Sequence, residues 1–255
     1  SSTNRRLGEA IDTARAAMVS APDAHARFAA LTSTLGQIGF DQINYGFFDP
    51  EAARRDQAEV IFLSTMPESW LAYYHANAMH LTDPHVMKVL AGNLTPYMWG
   101  ETQMKALADA RILHTARGIE EAGQRSSICT PLASPFAPAI PVAGMTMGSS
   151  MNERDLAGVT GDHAWRLGSL VHLFHHMSLG ELHRRRMGIE PLTTRERDCL
   201  RYAADGLLQE AIAHQLNLAR VTVETHLRNA KRKLRAKTLS QAVARAMAFG
   251  DIPPA

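Results

Sequence analysis

The residues with the clearest chemical capacity lie toward the C-terminal end of the chain. Over residues 220–235, Val223, Leu227, Ala230 and Leu234 recur at intervals of 4, 3 and 4, which places them on one stripe of a helix. The remaining faces carry Thr222, Glu224, Thr225, Arg228, Asn229, Lys231, Arg232, Lys233 and Arg235. A helix fastened along one side, with donors and acceptors on the other, can read base edges in the major groove of duplex DNA. Glu224 can accept from cytosine, the Thr225 methyl can meet a thymine methyl, and Arg228 can donate bidentately to guanine. Asn229, Lys231, Arg232 and Lys233, farther along, suit phosphates. A solvated basic helix in an ordinary bundle shows the same spacing, so the residues alone leave both readings open.

The neighbouring elements would hold such a helix in place. Thr193 or Thr194 can cap a helix that buries Cys199, Leu200, Ala203 and Ala204, and Gly206 stops it. Residues 209–216 predict a short second helix with Ile212, Ala213 and Leu216 inward, and Asn217 with Leu218 makes a turn. Residues 239–249 predict a fourth helix with Ala242, Val243, Ala246 and Met247 on one side. Charge supports a polyanion partner here: residues 182–255 carry 14 Lys and Arg against 7 Asp and Glu, whereas residues 1–181 carry 13 against 18. Charge of this kind fits RNA or an anionic membrane surface as well as DNA.

Other chemistries find little footing. The two cysteines, Cys129 and Cys199, have no partner at the spacing of a metal site or redox pair. His172 and His176 are four residues apart on one helix face, but no zincin glutamate and no third ligand accompany them. There is no glycine-rich phosphate loop and no nucleophile elbow. We therefore expect no catalytic residue, no metal and no cofactor beyond a small-molecule ligand. A hydrophobic content of 45% suits a folded core. No apolar run approaches the ~18 residues that span a bilayer, and the polar start, Ser1 to Arg6, leads into no signal-peptide core. The expectation is a soluble cytoplasmic protein without a membrane partner.

In the N-terminal part, residues 5–35 predict two helices broken near Pro22, and residues 42–48 and 59–64 predict strands. Pro67, Glu68 and Ser69 open a helix that reaches Ala78. Residues 101–122 predict one longer amphipathic helix closed by Gly123. Residues 127–132 and 142–147 are apolar runs that flank a proline-rich loop holding Pro135, Pro138 and Pro141. A long helix over residues 155–186 ends this part of the chain.

The stretch LTTRERDCLRYAADGLLQEAIAHQLNLARVTVETHLRNAKRKL resembles the DNA-binding domain of LuxR-type regulators. Glu196, Leu200 and Gly206 match its most characteristic positions, and Ile212-Ala213, Leu216, Thr222-Val223, His226, Asn229 and Lys233-Leu234 match much of the rest. The resemblance implies double-stranded DNA as partner, with Thr222, Glu224, Thr225, His226, Arg228, Asn229, Arg232 and Lys233 as the DNA-binding set. Ala211 stands where the family usually has glutamate. Leu208 stands where it usually has a small polar residue, so one phosphate contact is expected to be missing.

Upstream, WLAYYHANAMHLTDPHV, followed by Trp99, is similar to the acyl-homoserine-lactone-binding domain of quorum-sensing regulators, through Trp70, Tyr74, Asp83 and Trp99. The resemblance implies a cavity for an autoinducer. An indole N–H only donates and a carboxylate only accepts, so Trp70 suits the lactone carbonyl and Asp83 the amide N–H. Tyr74 and Trp99 would supply walls and Thr146 a hydrogen bond near the acyl carbonyl; Met66, Val86 and Cys129 complete the expected ligand-binding set. Met66 stands where many members have a tyrosine, Ser127 where they have glycine, and Gln124 at a commonly apolar place. One extra residue lies between Asp83 and Trp99. These departures imply an altered acyl group or another class of signal.

The expected fold is α+β: an N-terminal α-β-α sandwich over residues 1–180, a linker over 181–190, and an all-α four-helix helix-turn-helix domain over 191–255. The expected function is a DNA-binding transcriptional regulator controlled by a small signal molecule, an N-acyl-homoserine lactone, acting as a homodimer. A ligand-independent regulator or heterodimerising antagonist is the alternative. A lactone hydrolase with Asp83 as base is a further one, without an identifiable nucleophile.

Overall fold

A computed structural model describes residues 2–47, 61–134, 137–186 and 188–253. The chain divides into two compact units, Ser1–His176 and Met177–Ala255.

The first unit opens with helices α1 (Ser2–Ser20) and α2 (Ala24–Gly36). Asp23 caps α2 by accepting from the Ala26 N–H at 2.9 Å, which ends one helix and starts the next. Strands β1 (Gln42–Phe47), β2 (Ile61–Ser64), β3 (Tyr97–Trp99), β4 (Ser126–Ser134) and β5 (Ala137–Ser149) form one antiparallel sheet in the order β2-β1-β5-β4-β3. Residues 48, 59 and 60, expected as strand, lie outside the described residues, as does Pro135.

Strand alternation sorts the side chains onto two faces. The pairings Ile43 with Met147, Tyr45 with Met145 and Ile128 with Met147 put these residues on one face. That face is buried against α1, α2, α7 (Glu153–Thr160) and α8 (Ala164–Arg186). Phe174 of α8 stacks edge-on to Tyr45 at 5.1 Å and lies 6.0 Å from Phe28. The opposite face presents Asn44, Gly46, Gly144, Thr146, Cys129 and Tyr97. Its cover is α3 (Glu68–Ala76), α4 (Pro84–Leu90) and α6 (Ala110–Glu121), with the short α5 (Glu101–Lys105) beside β3. The result is an α-β-α sandwich.

Three sequence expectations are corrected. The helix expected over residues 101–122 is two helices, because Asp109 accepts from the Arg111 and Ile112 N–H groups and caps a new start. The long helix expected over 155–186 is interrupted at Gly161, whose φ of +39° is open to glycine and strained for most other residues. The proline-rich loop is largely strand: β5 runs from Ala137 and pairs Pro141 with Ala133, with register shifts beside Leu132 and Ala133. Irregular pairing is where a residue without an N–H is tolerated in a sheet. The segment 181–190 is helical as far as Arg186.

The second unit contains the end of α8 and four further helices: α9 (Thr194–Ala204), α10 (Gln209–Leu216), α11 (Arg220–Lys233) and α12 (Leu239–Ala248). Thr193 and Glu196 form a reciprocal capping box at the start of α9, leaving two otherwise orphaned N–H groups satisfied. Asn217, at φ +52°, provides the left-handed residue that ends α10 and turns the chain into α11. Cys199, Leu200, Ile212, Val223, Leu227, Ala230, Leu234, Ala242 and Ala246 share one core. Among the described residues no helix is long and apolar enough to cross a membrane.

Candidate functional site

The sheet face away from the α1/α2 layer encloses a cavity of about 80 Å³, bounded by residues of β1, β3, β4, β5, α3, α4 and α6. The chain makes room by placing Gly46, Gly144 and Thr146 on this face while Met145 and Met147 point into the core opposite. Of the expected ligand-binding residues, Met66, Trp70, Tyr74, Asp83, Val86, Cys129 and Thr146 all line the cavity. Trp99 does not. It is 5% exposed and sits behind the wall, edge-on to His85 at 5.0 Å. The Trp70 indole is held by a close approach: a Cβ on Gly118 would stand 3.3 Å from its ring.

Asp83 caps α4, accepting from the His85 N–H at 2.8 Å, and its other oxygen accepts from the Tyr74 hydroxyl at 2.8 Å. Burial, and then the adjacent carboxylate, push the Tyr74 hydroxyl well above its ordinary pKa, so it remains a donor. Asp83 is 7% exposed, and a carboxylate has lone pairs beyond the two already used. It can accept from a ligand N–H without giving up either bond. The two departures at Gln124 and Ser127 meet each other: the Gln124 amide N–H lies 3.4 Å from the Ser127 hydroxyl, both side chains buried. Polar residues at these places satisfy one another, with Gln124 on the cavity wall.

Two residues missed in the sequence, His85 and Tyr97, meet Cys129 at one polar corner of the wall. His85 Nδ1 lies 3.1 Å from Cys129 Sγ and 3.0 Å from Tyr97 Oη. Ser127 Oγ stands 3.4 Å and Thr146 Oγ1 3.9 Å from the same sulfur. Burial opposes a charge on His85, but the Cys129 sulfur, assisted by Asp83, raises its pKa to about 9. Burial likewise opposes the thiolate, and His85 with the two hydroxyls brings the Cys129 thiol below its ordinary range. The signal for His85 in the sequence is only its place two residues after Asp83; nothing local marks Tyr97.

On α11, Glu224, Arg228 and Arg232 are exposed, Thr222, Thr225, His226 and Asn229 are half-buried, and Val223, Leu227 and Ala230 are inward. The Thr225 hydroxyl donates to the Val221 carbonyl at 2.9 Å. Arg232 stands 3.9 Å from Glu190 across an exposed pair. The Lys233 ammonium is 2.8 Å from Glu196 and 3.3 Å from the Pro191 carbonyl, with the side chain 14% exposed, and so ties α11 to the start of α9. Burial works against the Glu196 carboxylate, yet Lys233 and the Thr193 N–H hold its pKa below the usual value. Val221, missed in the sequence, is 67% exposed, and Leu208 is 76% exposed at the start of α10, where its side chain caps nothing. Val221 stands outside the buried stripe, which is the signal that could have found it. His172 and His176 are exposed on α8.

Comparison with known proteins agrees with this geometry. The model of the autoinducer binding domain matches residues 23–177, and that of bacterial regulatory proteins of the luxR family matches residues 190–246. The HTH-type quorum sensing-dependent transcriptional regulator VjbR of Brucella abortus is 30% identical over 214 residues, covering 79% of this chain and 78% of VjbR. In fold, the chain is similar to SdiA of Escherichia coli, with a TM-score of 0.53, 18% identity and coverage of 96% and 98% of the two chains. It is also similar to CepR2 of Burkholderia cenocepacia, with a TM-score of 0.51, 18% identity and coverage of 69% and 95%. This chain belongs to the LuxR family of quorum-sensing transcriptional regulators, with an autoinducer-binding domain followed by a helix-turn-helix DNA-binding domain.

Proposed function

We propose that the signal is an N-acyl-homoserine lactone held in the cavity beside Trp70, Tyr74 and Asp83, and that the regulator acts in the cytoplasm as a homodimer. The observation that carries this reading is that an indole donor and a carboxylate acceptor line one largely apolar cavity together. Trp70 donates to the lactone carbonyl, Asp83 accepts from the amide N–H, and Met66, Val86 and Val89 flank the acyl chain. CepR2 is described as an N-acylhomoserine-lactone-dependent LuxR-family transcription factor, which adds weight to the same ligand class here. Cavities that enclose small ligands are usually ~300–1,000 Å³, so at about 80 Å³ this one must widen on binding. Flexible Met66 is suited to give way, and a ligand that stabilises the widened form shifts the protein toward it.

On α11, Glu224, Thr225, Arg228 and Val221 face bases, with Thr222, His226, Asn229 and Arg232 toward the backbone. A two-fold dimer would span half-sites about one helical turn, ~34 Å, apart. Residues 1–180 then serve as sensor and 191–255 as output.

The test is a panel of N-acyl-homoserine lactones of different chain length and 3-substitution. At least one should raise the Tm and change operator affinity, and Asp83→Asn should abolish both responses at that concentration. No response to any member would overturn the lactone. The small cavity favours, as a second reading, a smaller signal or a ligand-independent regulator; native mass spectrometry of protein purified from its own host separates these by the presence and mass of a bound molecule.

A further inference from the structure

The lactone reading takes its polar contacts from Trp70 and Asp83 and gives no chemistry to the imidazole and thiol at the other polar corner of the cavity. That corner holds a thiol and an imidazole 3.1 Å apart, both on the cavity wall. The sulfur also has the Ser127 and Thr146 hydroxyls beside it. His85 Nδ1 faces the sulfur and Tyr97 Oη, while Nε2 is buried with no hydrogen-bond partner among the described residues. A buried imidazole N–H left unmatched is costly, and an oxygen acceptor on a small molecule in the cavity would satisfy it. The molecule's other thiol, Cys199, is buried in the helix-turn-helix core with Leu200, Ile212 and Val223, and burial raises it.

We propose that Cys129 and His85 form a thiolate–imidazolium pair that makes the cavity a covalent capture site for soft carbon electrophiles, small α,β-unsaturated carbonyl compounds in particular. The proposal needs the cavity but not the lactone. In the step, the Cys129 sulfur adds to the β-carbon and forms the C–S bond. The C=C π pair moves toward the carbonyl as an enolate, and the α-carbon then takes the proton given up by His85. The products are a neutral thioether and a neutral imidazole; no oxidant or reductant is required. Proximity of the charged ring supplies the thiolate, and burial confines the reaction to molecules small enough to enter.

The charged and titratable groups facing the pair are Asp83 and Lys88 of α4 and its N-cap, and Tyr97 of β3. Burial and then the Cys129 charge raise the Tyr97 hydroxyl, so it stays protonated across the working range. Asp83 favours the imidazolium and Lys88 opposes it.

The test is acrylamide labelling of the folded, full-length protein, with each cysteine followed by peptide mass spectrometry between pH 6 and 8.5. An ordinary thiol with pKa ~8.5 loses about a hundredfold of its thiolate over that span. Cys129 should lose less than tenfold, while Cys199 stays essentially unlabelled. His85→Gln should restore the steep pH dependence, and a circular dichroism melt shows whether that variant is folded. The unmodified protein alone is decisive if it is not. A steep, ordinary pH profile for Cys129 overturns the proposal. So does no labelling of Cys129, or labelling of both cysteines at one rate, which would report unfolding.

Discussion

The helix-turn-helix core and the ligand cavity both bury charged and polar groups, and they satisfy them differently. In the core, Glu196 accepts from Lys233 and from the Thr193 N–H, and Lys233 also reaches the Pro191 carbonyl. Each group has a protein partner, and the network joins α9 to α11. In the cavity, Asp83 keeps unused lone pairs and His85 Nε2 has no partner among the described residues. The same contrast separates the two cysteines: burial raises the Cys199 thiol, whereas His85 lowers Cys129 against burial. A closed network fixes one arrangement, since leaving any member unmatched is costly. Incompletely satisfied groups beside a cavity are matched when something enters it. The first region holds a shape and the second responds.

The largest expected effect tests the closed network. Glu196→Ala leaves the Lys233 ammonium 14% exposed with its ion-pair partner gone and removes half of the capping box. Breaking a buried pair from one side costs ~3–5 kcal/mol, to be read by urea denaturation of the full chain. A loss below 1 kcal/mol would show that Lys233 simply swings into solvent, and would weaken the contrast.

The next effect belongs to the first unit's packed layer. His175 accepts at Nδ1 from the Tyr45 hydroxyl at 2.9 Å and donates from Nε2 to the Ala133 carbonyl at 3.1 Å. Accepting at Nδ1 needs the neutral ring, whereas the bond to Ala133 survives protonation and opposes the shift. Burial is the main cause that lowers its pKa from 6.5 to about 4. The unfolded chain therefore binds the proton more readily. Stability from this site is complete above pH 6.5 and is lost as pH falls toward 4, by about 3 kcal/mol in all. His175→Gln should flatten that part of the stability-against-pH curve; an unchanged slope would show that other groups govern it.

The smallest effect on stability should accompany a clear effect on output. Arg228 is exposed and touches Thr225 at 3.4 Å, so Arg228→Ala should change folding stability by no more than ~0.5 kcal/mol. Operator affinity should fall about 10- to 100-fold, the value of one bidentate base contact, as measured by fluorescence anisotropy at fixed salt. A uniform loss on all DNA sequences would move Arg228 from base reading to phosphate binding.

Legibility differed between the same two regions. In the helix-turn-helix unit the spacing of Val223, Leu227, Ala230 and Leu234, the Thr193 cap and the Gly206 stop led to the observed helices within a residue or two. What the spacing does not show there is the tie from Lys233 to Glu196, 37 residues away. In the sensor, seven expected ligand-binding residues do line one cavity, but Trp99 stands behind it, and the breaks at Asp109 and Gly161 were missed. Caps and glycine conformations act over one turn and are weighed against a periodicity that runs straight through them.

What the sequence determined by itself was therefore local: helical stripes, caps, the basic end, and a Trp70–Tyr74–Asp83 spacing carried on one short stretch. The tertiary structure alone decided the His85–Cys129 contact, between residues 44 apart, and Tyr97 beside it. That contact depends on β3 pairing with β4 so that Tyr97 faces Cys129, and on Asp83 starting α4 where His85 turns toward the same strand. A one-residue change of register would send Cys129 to the opposite face of the sheet. Register is set by the packing of both faces together, and no single segment of the sequence encodes it.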